Sequence, residues 1–381
     1  MTAPARHAVA ADRVFDGHTL HRDHAVVVEG TGISALVPRR ELTDMPVHAL
    51  PPGTWLAPGF IDIQVNGGGD VLFNDVPTAA GIDGIVAAHR RFGTTGLLPT
   101  LITDRADTML AASQAVQSAM RSNPGVLGIH FEGPFISPGK PGIHDPAKIR
   151  RPAAGDVELL TGSSGGVTLV TLAPECVPAG FVGKLVETGV RVSLGHSMAT
   201  YAQTKAAMEE GLLGFTHLFN AMRPLDSREP GPIAAALENP SACFGMIVDG
   251  VHVAPAMLRL ALRGMATPML VSDAMPPVGG TRSSFVLNGR TITVRDGRCA
   301  AEDGTLAGAA LDMAAAVRNC VRLLGVALEH ALPWATTTPA AFLGLERLGA
   351  LALGRRADMV ALEPESVRVL STWVAGARMD H

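Results

Sequence analysis

Four cysteines, Cys176, Cys243, Cys299 and Cys320, are scattered along 381 residues, and no two stand at CxxC spacing. No thiolate zinc site is implied. No run of about 18 apolar residues exists, which argues against a membrane-spanning helix. The opening stretch MTAPARHAVAADRVF lacks the apolar core of a secretory signal. A reducing, soluble, cytoplasmic setting is the expectation. A strong excess of either charge is also missing: the formal net charge is -4. Nothing in that balance points to nucleic acid or an anionic membrane as partner. A small anionic substrate stays open, because a local basic pocket is invisible in a total. No G-x-G-x-x-G follows an apolar run, which lowers a dinucleotide-binding reading.

What is present is a chain long enough for a barrel plus a minor domain, 47% hydrophobic, with 42 Gly and 27 Pro. Residues 25–29 (AVVVE) and 33–38 (ISALVP) are short β segments around Gly30 and Gly32, which suggests a hairpin. The chain end reads alike: 358–362, a turn with Pro364, then 367–374. Both termini are therefore expected to build one small β-sandwich domain, from 1–56 plus 355–381.

Between them, over 57–354, eight short apolar runs alternate with helix-like stretches. The runs are 59–65, 95–99, 126–131, 167–172, 190–194, 214–217, 244–248 and 269–272. Each is bounded by Gly, Pro or polar residues, as buried parallel strands should be. The helical stretches include 84–92, 108–121, 181–187, 199–210 and 257–263, with Ser197 as a candidate cap for the fourth. Eight such units predict an α/β fold, a (β/α)8 TIM-like barrel. An insertion near 283–299 contains Asn288-Gly289 between β-prone flanks, a hairpin signal. Residues 311–324, 326–332 and 339–345 read as further helical pieces.

In such a barrel the chemistry sits where strands end. The ends of the runs carry Gln64 and Asn66, His130 and Glu132, His196, His217 and Asn220, Asp249 and His252, and Asp273. A lone histidine there is more often a hydrogen-bonded structural residue, and a lone aspartate is often a helix cap. Jointly the pattern is stronger. Glu132, His196 and His217 come from three strands and converge on one axis, a three-ligand set that leaves a position for water. A divalent ion acidifies that water. Asp273 can take its proton and return it to an expelled amine. A neutral donor can stabilise the oxyanion. His144, in the Gly/Pro-rich loop 138–145, is the candidate, against the plain alternative of a solvated loop histidine. Asn220 and Ala221, with Arg228 in SREPG and His252 beside them, suit a phosphate. The plainer alternative is a surface arginine in a Pro-flanked loop.

The segments LAPGFIDIQVNGGG (56–69), HFEGPF (130–135), SLGHS (193–197), FTHLFNAM (215–222), REPG (228–231), VDGVHV (248–253), VSDAM (271–275) and DGTLAG (303–308) resemble N-acetylglucosamine-6-phosphate deacetylases of the amidohydrolase superfamily. The likeness runs in order over nearly the whole chain. HFEGPF, FTHLFNAM and DGTLAG are the specific motifs. PGFID and the closing GRRADMV (354–360) are shared more widely. The resemblance implies that Glu132, His196 and His217 hold the metal and that Asp273 is the acid/base residue. It implies that His144 meets the substrate amide and that Asn220, Ala221, Arg228 and His252 bind the sugar phosphate. Leu306, Ala307 and Gly308 would line the acetyl side. It further implies a homodimer, with tetramer as the alternative, in which Arg and His residues of this kind can reach across the interface. The implied products are glucosamine 6-phosphate and acetate, in amino-sugar catabolism and cell-wall recycling.

One departure matters. Many amidohydrolases carry His-x-His at the end of the first strand, which helps hold a second metal. Here the position reads Gln64-Val65-Asn66, and an amide oxygen is a poor zinc ligand. One ion per subunit is expected. Zinc fits best, with iron, manganese or cobalt able to occupy the same donors. Two competing readings remain: an amidohydrolase for another N-acyl amino-sugar phosphate or a cyclic amide, and a silent barrel that senses an amino-sugar phosphate.

Overall fold

A computed structural model of the chain describes residues 6–162 and 165–381. Contacts divide it into two compact units, one of 1–62, 87–96 and 312–381 and the other of 63–86 and 97–311. The stretches 87–96 and 312–354 thus group with the chain ends, although the sequence pattern set them with the barrel.

The barrel strands are β1 (Phe60–Val65), β2 (Thr94–Ile102), β3 (Gly128–Glu132), β4 (Val167–Leu172), β5 (Arg191–Leu194), β6 (Gly214–Phe215), β7 (Cys243–Met246) and β8 (Thr267–Leu270). They lie side by side in sequence order. The pairings from β2 to β8 are parallel. A parallel bridge between Val65 and Ala274 links the end of β1 to the chain beyond β8 and closes the ring. Every expected strand is present, with ends displaced by three residues at most. All residues of β1, β2 and β3 are buried, which is why they read as apolar runs rather than alternating strands.

Helices α1 (Ala79–Arg90), α2 (Ala106–Met120), α3 (Asp156–Thr161), α4 (Phe181–Glu187), α5 (Tyr201–Glu209), α6 (Gly231–Leu237) and α7 (Pro255–Ala261) fall between strands. In α2 the buried residues Met109, Ala112, Val116 and Ala119 recur at helical spacing, so one stripe faces the core. The cap of α5 is Thr200, not Ser197: Thr200 accepts from the Gln203 N–H, and Gln203 answers at the Thr200 N–H. The Ser197 hydroxyl lies three residues too early and takes other partners.

The insertion is larger than a hairpin. β9 (Ser284–Leu287) and β10 (Arg290–Arg295) pair across Asn288-Gly289, and β11 (Arg298–Ala301) and β12 (Leu306–Ala309) extend the sheet to four strands. Its apolar face, with Leu287, Ile292 and Ala307, packs on Leu72, Ile102, Ile143 and Met275.

The other unit is built on one continuous eight-stranded sheet from both chain ends. Met359–Glu363 pairs antiparallel with Trp55–Pro58, in register Met359 to Pro58. The hairpin of Leu20–Glu29 and Gly32–Pro38 turns at Gly30, whose φ of +58° suits a residue without a Cβ. Along His7–Phe15 the period of two sends Val9 and Ala11 to one buried cluster and Ala8 and Ala10 to another. In the same unit, helix α8 (Met313–Asn319) is capped by Asp312 and runs into a π-turn at Cys320–Leu324. Helices α9 (Leu328–Ala335) and α10 (Thr337–Leu343) follow.

Candidate active site

Parallel strands end at one rim, and that rim gathers the titratable groups. Glu132 is the last residue of β3, His196 and His217 lie two residues past β5 and β6, and Asp273 lies three past β8. His196, His217 and Asp273 hold left-handed backbone, with φ of +48°, +30° and +48°. Each such residue costs on the order of 1–3 kcal/mol and persists only where the surroundings fix it. Gly308 in β12 helps fix Asp273. The Ala309 N–H donates to the Asp273 carbonyl at 2.8 Å. A Cβ on Gly308, whose φ is +57°, would sit 2.7 Å from that same oxygen.

Three donor atoms meet at one point. Glu132 Oε1 lies 3.1 Å from His196 Nε2 and 3.0 Å from His217 Nε2, and the two Nε2 atoms are 3.2 Å apart. His196 Nδ1 donates to the Lys140 carbonyl at 2.9 Å. That bond places the ring proton on Nδ1 and turns the Nε2 lone pair inward. A buried carboxylate and two imidazoles aimed at each other form a donor set that fits a divalent ion. Burial works against the Glu132 charge, but hydrogen bonds with His196 and His217 hold its carboxyl well below the usual value.

Gln64 and Asn66 turn their amide nitrogens toward the site's carboxylates. Gln64 Nε2 donates to Glu132 Oε2 at 3.1 Å and to Asp273 Oδ1 at 3.3 Å. Asn66 Nδ2 donates to Asp273 Oδ1 at 2.6 Å. Both amides thus hold one oxygen of Asp273. Burial, reinforced by the Glu132 charge, pushes the Asp273 carboxyl up to about 6.

The His144 ring lies 4.3 Å from that of His196, centroid to centroid. Burial beside His196 pulls it down to about 3, so the ring is neutral. Its Nδ1 accepts from the Thr103 N–H at 3.4 Å and lies 2.7 Å from the Thr103 hydroxyl. An accepting Nδ1 puts the proton on Nε2, which makes Nε2–H a neutral donor. His130, by contrast, points into the barrel. It sits between the hydroxyls of Thr100 and Thr171, and burial pulls it down to about 4. That is a structural role.

A cavity of about 400 Å³ opens over these groups, within the range of small-molecule sites. Asn66, Glu132, His144, His196, His217, Asn220, Ala221, His252, Asp273, Leu306 and Gly308 line it. His252 Nδ1 donates to Asp249 Oδ2 at 2.6 Å, and Asp249 Oδ1 accepts the Val251 and His252 N–H groups. Two expected residues are not brought in. Ala307 faces the apolar cluster of the insertion, because neighbours in a strand point to opposite faces. Arg228 is exposed on its loop and does not line its own chain's cavity.

The cavity also has walls that sequence reasoning missed: Ile102, Ile247, Met275, Thr305 and the loop 139–143. Thr103, which orients His144, was missed as well. No pattern marked it, since its partner is 41 residues away.

The amidohydrolase family model matches residues 55–379. The N-acetylgalactosamine-6-phosphate deacetylase of Shewanella sp. (strain ANA-3) is 43% identical, over 91% of this chain and 88% of that protein. The N-acetylglucosamine-6-phosphate deacetylase of Haemophilus influenzae is 32% identical, over 95% of this chain and 96% of that protein. Among solved structures, the N-acetylglucosamine-6-phosphate deacetylase of Pasteurella multocida superposes with a TM-score of 0.95 at 34% identity, covering 99% of this chain and all of that one.

Proposed function

This chain belongs to the amidohydrolase family, and we propose that it deacetylates N-acetyl-D-glucosamine 6-phosphate to D-glucosamine 6-phosphate and acetate. The observation that carries the reading is one cavity lined by Glu132, His196, His217 and Asp273 together with Asn220, Ala221 and His252. Such a cavity suits a substrate with an amide at one end and an anion at the other.

Glu132, His196 and His217 would hold one divalent ion, zinc by preference for this donor set. When bound, the ion acidifies water and polarises the acetamido carbonyl. Asp273 takes the proton of the water that attacks the carbonyl carbon. Asn66 and Gln64 hold Oδ1, so the other carboxylate oxygen is left for the proton. The His144 Nε2–H stabilises the oxyanion as charge grows on the carbonyl oxygen. The C–N bond then breaks, and Asp273 returns its proton to the departing amine. At the far end, the Ala221 N–H, the Asn220 amide and His252, held by Asp249, meet the phosphate. Leu306 and Gly308 flank the acetyl group. The enzyme works in the cytoplasm as a homodimer, in amino-sugar catabolism and cell-wall recycling. Among the described residues no helix is long and apolar enough to cross a membrane.

A second reading has a specific support. The Shewanella relative at 43% identity carries the galacto name, so the C4 epimer is the rival substrate. Acetate release from both epimeric 6-phosphates, and from unphosphorylated N-acetylglucosamine, separates the readings. The proposal expects the gluco phosphate to have the highest kcat/KM and the unphosphorylated sugar a far lower one. A higher kcat/KM for the galacto phosphate moves the assignment to that epimer. Equal rates with and without phosphate overturn the sugar-phosphate reading altogether.

A further inference from the structure

Residues 197–199, just past His196, are held by two charged side chains from different loops. Glu175, in the loop after β4, accepts from the Ser197 hydroxyl at 2.8 Å with one oxygen and from the Met198 N–H with the other. Arg223, in the loop after β6, donates from Nη2 and Nε to the Met198 carbonyl at 2.8 and 3.0 Å. Its Nε also reaches the Ala199 carbonyl at 3.2 Å. A carboxylate thus takes two donors of this segment, and a guanidinium binds two of its carbonyls. Such charge-assisted bonds are stronger than neutral ones.

The segment joins two parts of the site. The Ser197 N–H donates to the Ala221 carbonyl at 3.0 Å, and the Arg223 N–H donates to the Ser197 carbonyl at 2.8 Å. His196, which precedes Ser197, and Ala221, which accepts its N–H, both hold left-handed backbone, at φ of +48° and +47°. Strained residues keep their geometry only when neighbours over-determine it.

We propose that Glu175 and Arg223 are positioning residues that lock the metal-binding His196 imidazole and the phosphate-facing Ala221 turn into one frame by gripping residues 197–199. This rests on the deacetylase reading above. Neither side chain lines the cavity. Each acts through backbone, so its loss loosens both ends of the site together.

The test uses the zinc-loaded enzyme and the variants Arg223→Met, Arg223→Lys and Glu175→Gln. Zinc transfer to a competing chelator, KM, kcat per zinc-loaded site and the thermal midpoint are measured for each. Arg223→Met is expected to weaken zinc retention by about 10- to 100-fold, the usual effect of losing a residue that orients a ligand, and to raise KM in parallel. Arg223→Lys should recover part of both, because an ammonium still donates to the Met198 carbonyl. Glu175→Gln should fall between, since its amide oxygen still accepts one N–H. Wild-type zinc retention and KM in Arg223→Met overturn the proposal. So does a loss that merely follows the thermal midpoint, with lysine no better than methionine. If the wild type releases no acetate, the deacetylase reading fails instead, and zinc retention still decides the role of the grip.

Discussion

Asp273 carries the proton in this account, and its neighbours set when it can. The base is the carboxylate, so kcat/KM falls as pH drops through its pKa. Burial and Glu132 push that value up to about 6, and a bound cation lowers it. The acidic limb of the kcat/KM profile is therefore expected at or below pH 6; a limb above that value contradicts the assignment. Asp273→Asn keeps the shape but cannot accept the proton. Turnover should drop by roughly 10²- to 10⁴-fold while zinc stays bound, as read by acetate release beside metal analysis. Asn66→Ala removes the 2.6 Å bond to Oδ1. It should lower kcat by about 10- to 100-fold, the worth of a hydrogen bond to a charge, with KM little changed. At this scale Glu132, His196, His217 and Asp273 were legible because each ends an apolar run. Thr103, Glu175 and Arg223 were not. They act on backbone or on a remote ring from irregular loops, where no periodicity marks a residue.

The elements were legible where burial is uniform. All eight barrel strands follow from short apolar runs, and the Asn288-Gly289 turn from its own chemistry. The extra strands β11 and β12 escaped because the sheet is half exposed and its residues, as in Arg298–Ala301, carry little β signal. The burial of Ala307 escaped with them, since facing cannot be assigned before the strand is. β12 has a functional consequence, for it backs Asp273. Gly308→Ala would place a methyl 2.7 Å from the Asp273 carbonyl oxygen at a left-handed φ. We expect a loss of about 1–3 kcal/mol in stability together with lower kcat, read by denaturant unfolding and acetate release. An alanine variant with wild-type values in both would show that β12 does not fix Asp273.

At the scale of the whole molecule, Arg228 is the open position. It is exposed and does not line the cavity, though the resemblance of its motif implies a place at the phosphate. A homodimer in which Arg228 serves the neighbouring copy reconciles the two. Mixing Asp273→Asn with Arg228→Ala protein under conditions of subunit exchange should then restore activity, because half of the hybrid's sites carry both residues. No gain on mixing would place Arg228 outside catalysis or in cis. The proposed mechanism needs one ion only, held by Glu132, His196 and His217, with Gln64 and Asn66 serving Asp273 rather than a second metal. Titrating metal-free protein with zinc while following acetate release tests it most directly. Activity should rise linearly and level off at one equivalent per chain; a plateau at two equivalents, or activity without metal, would contradict it.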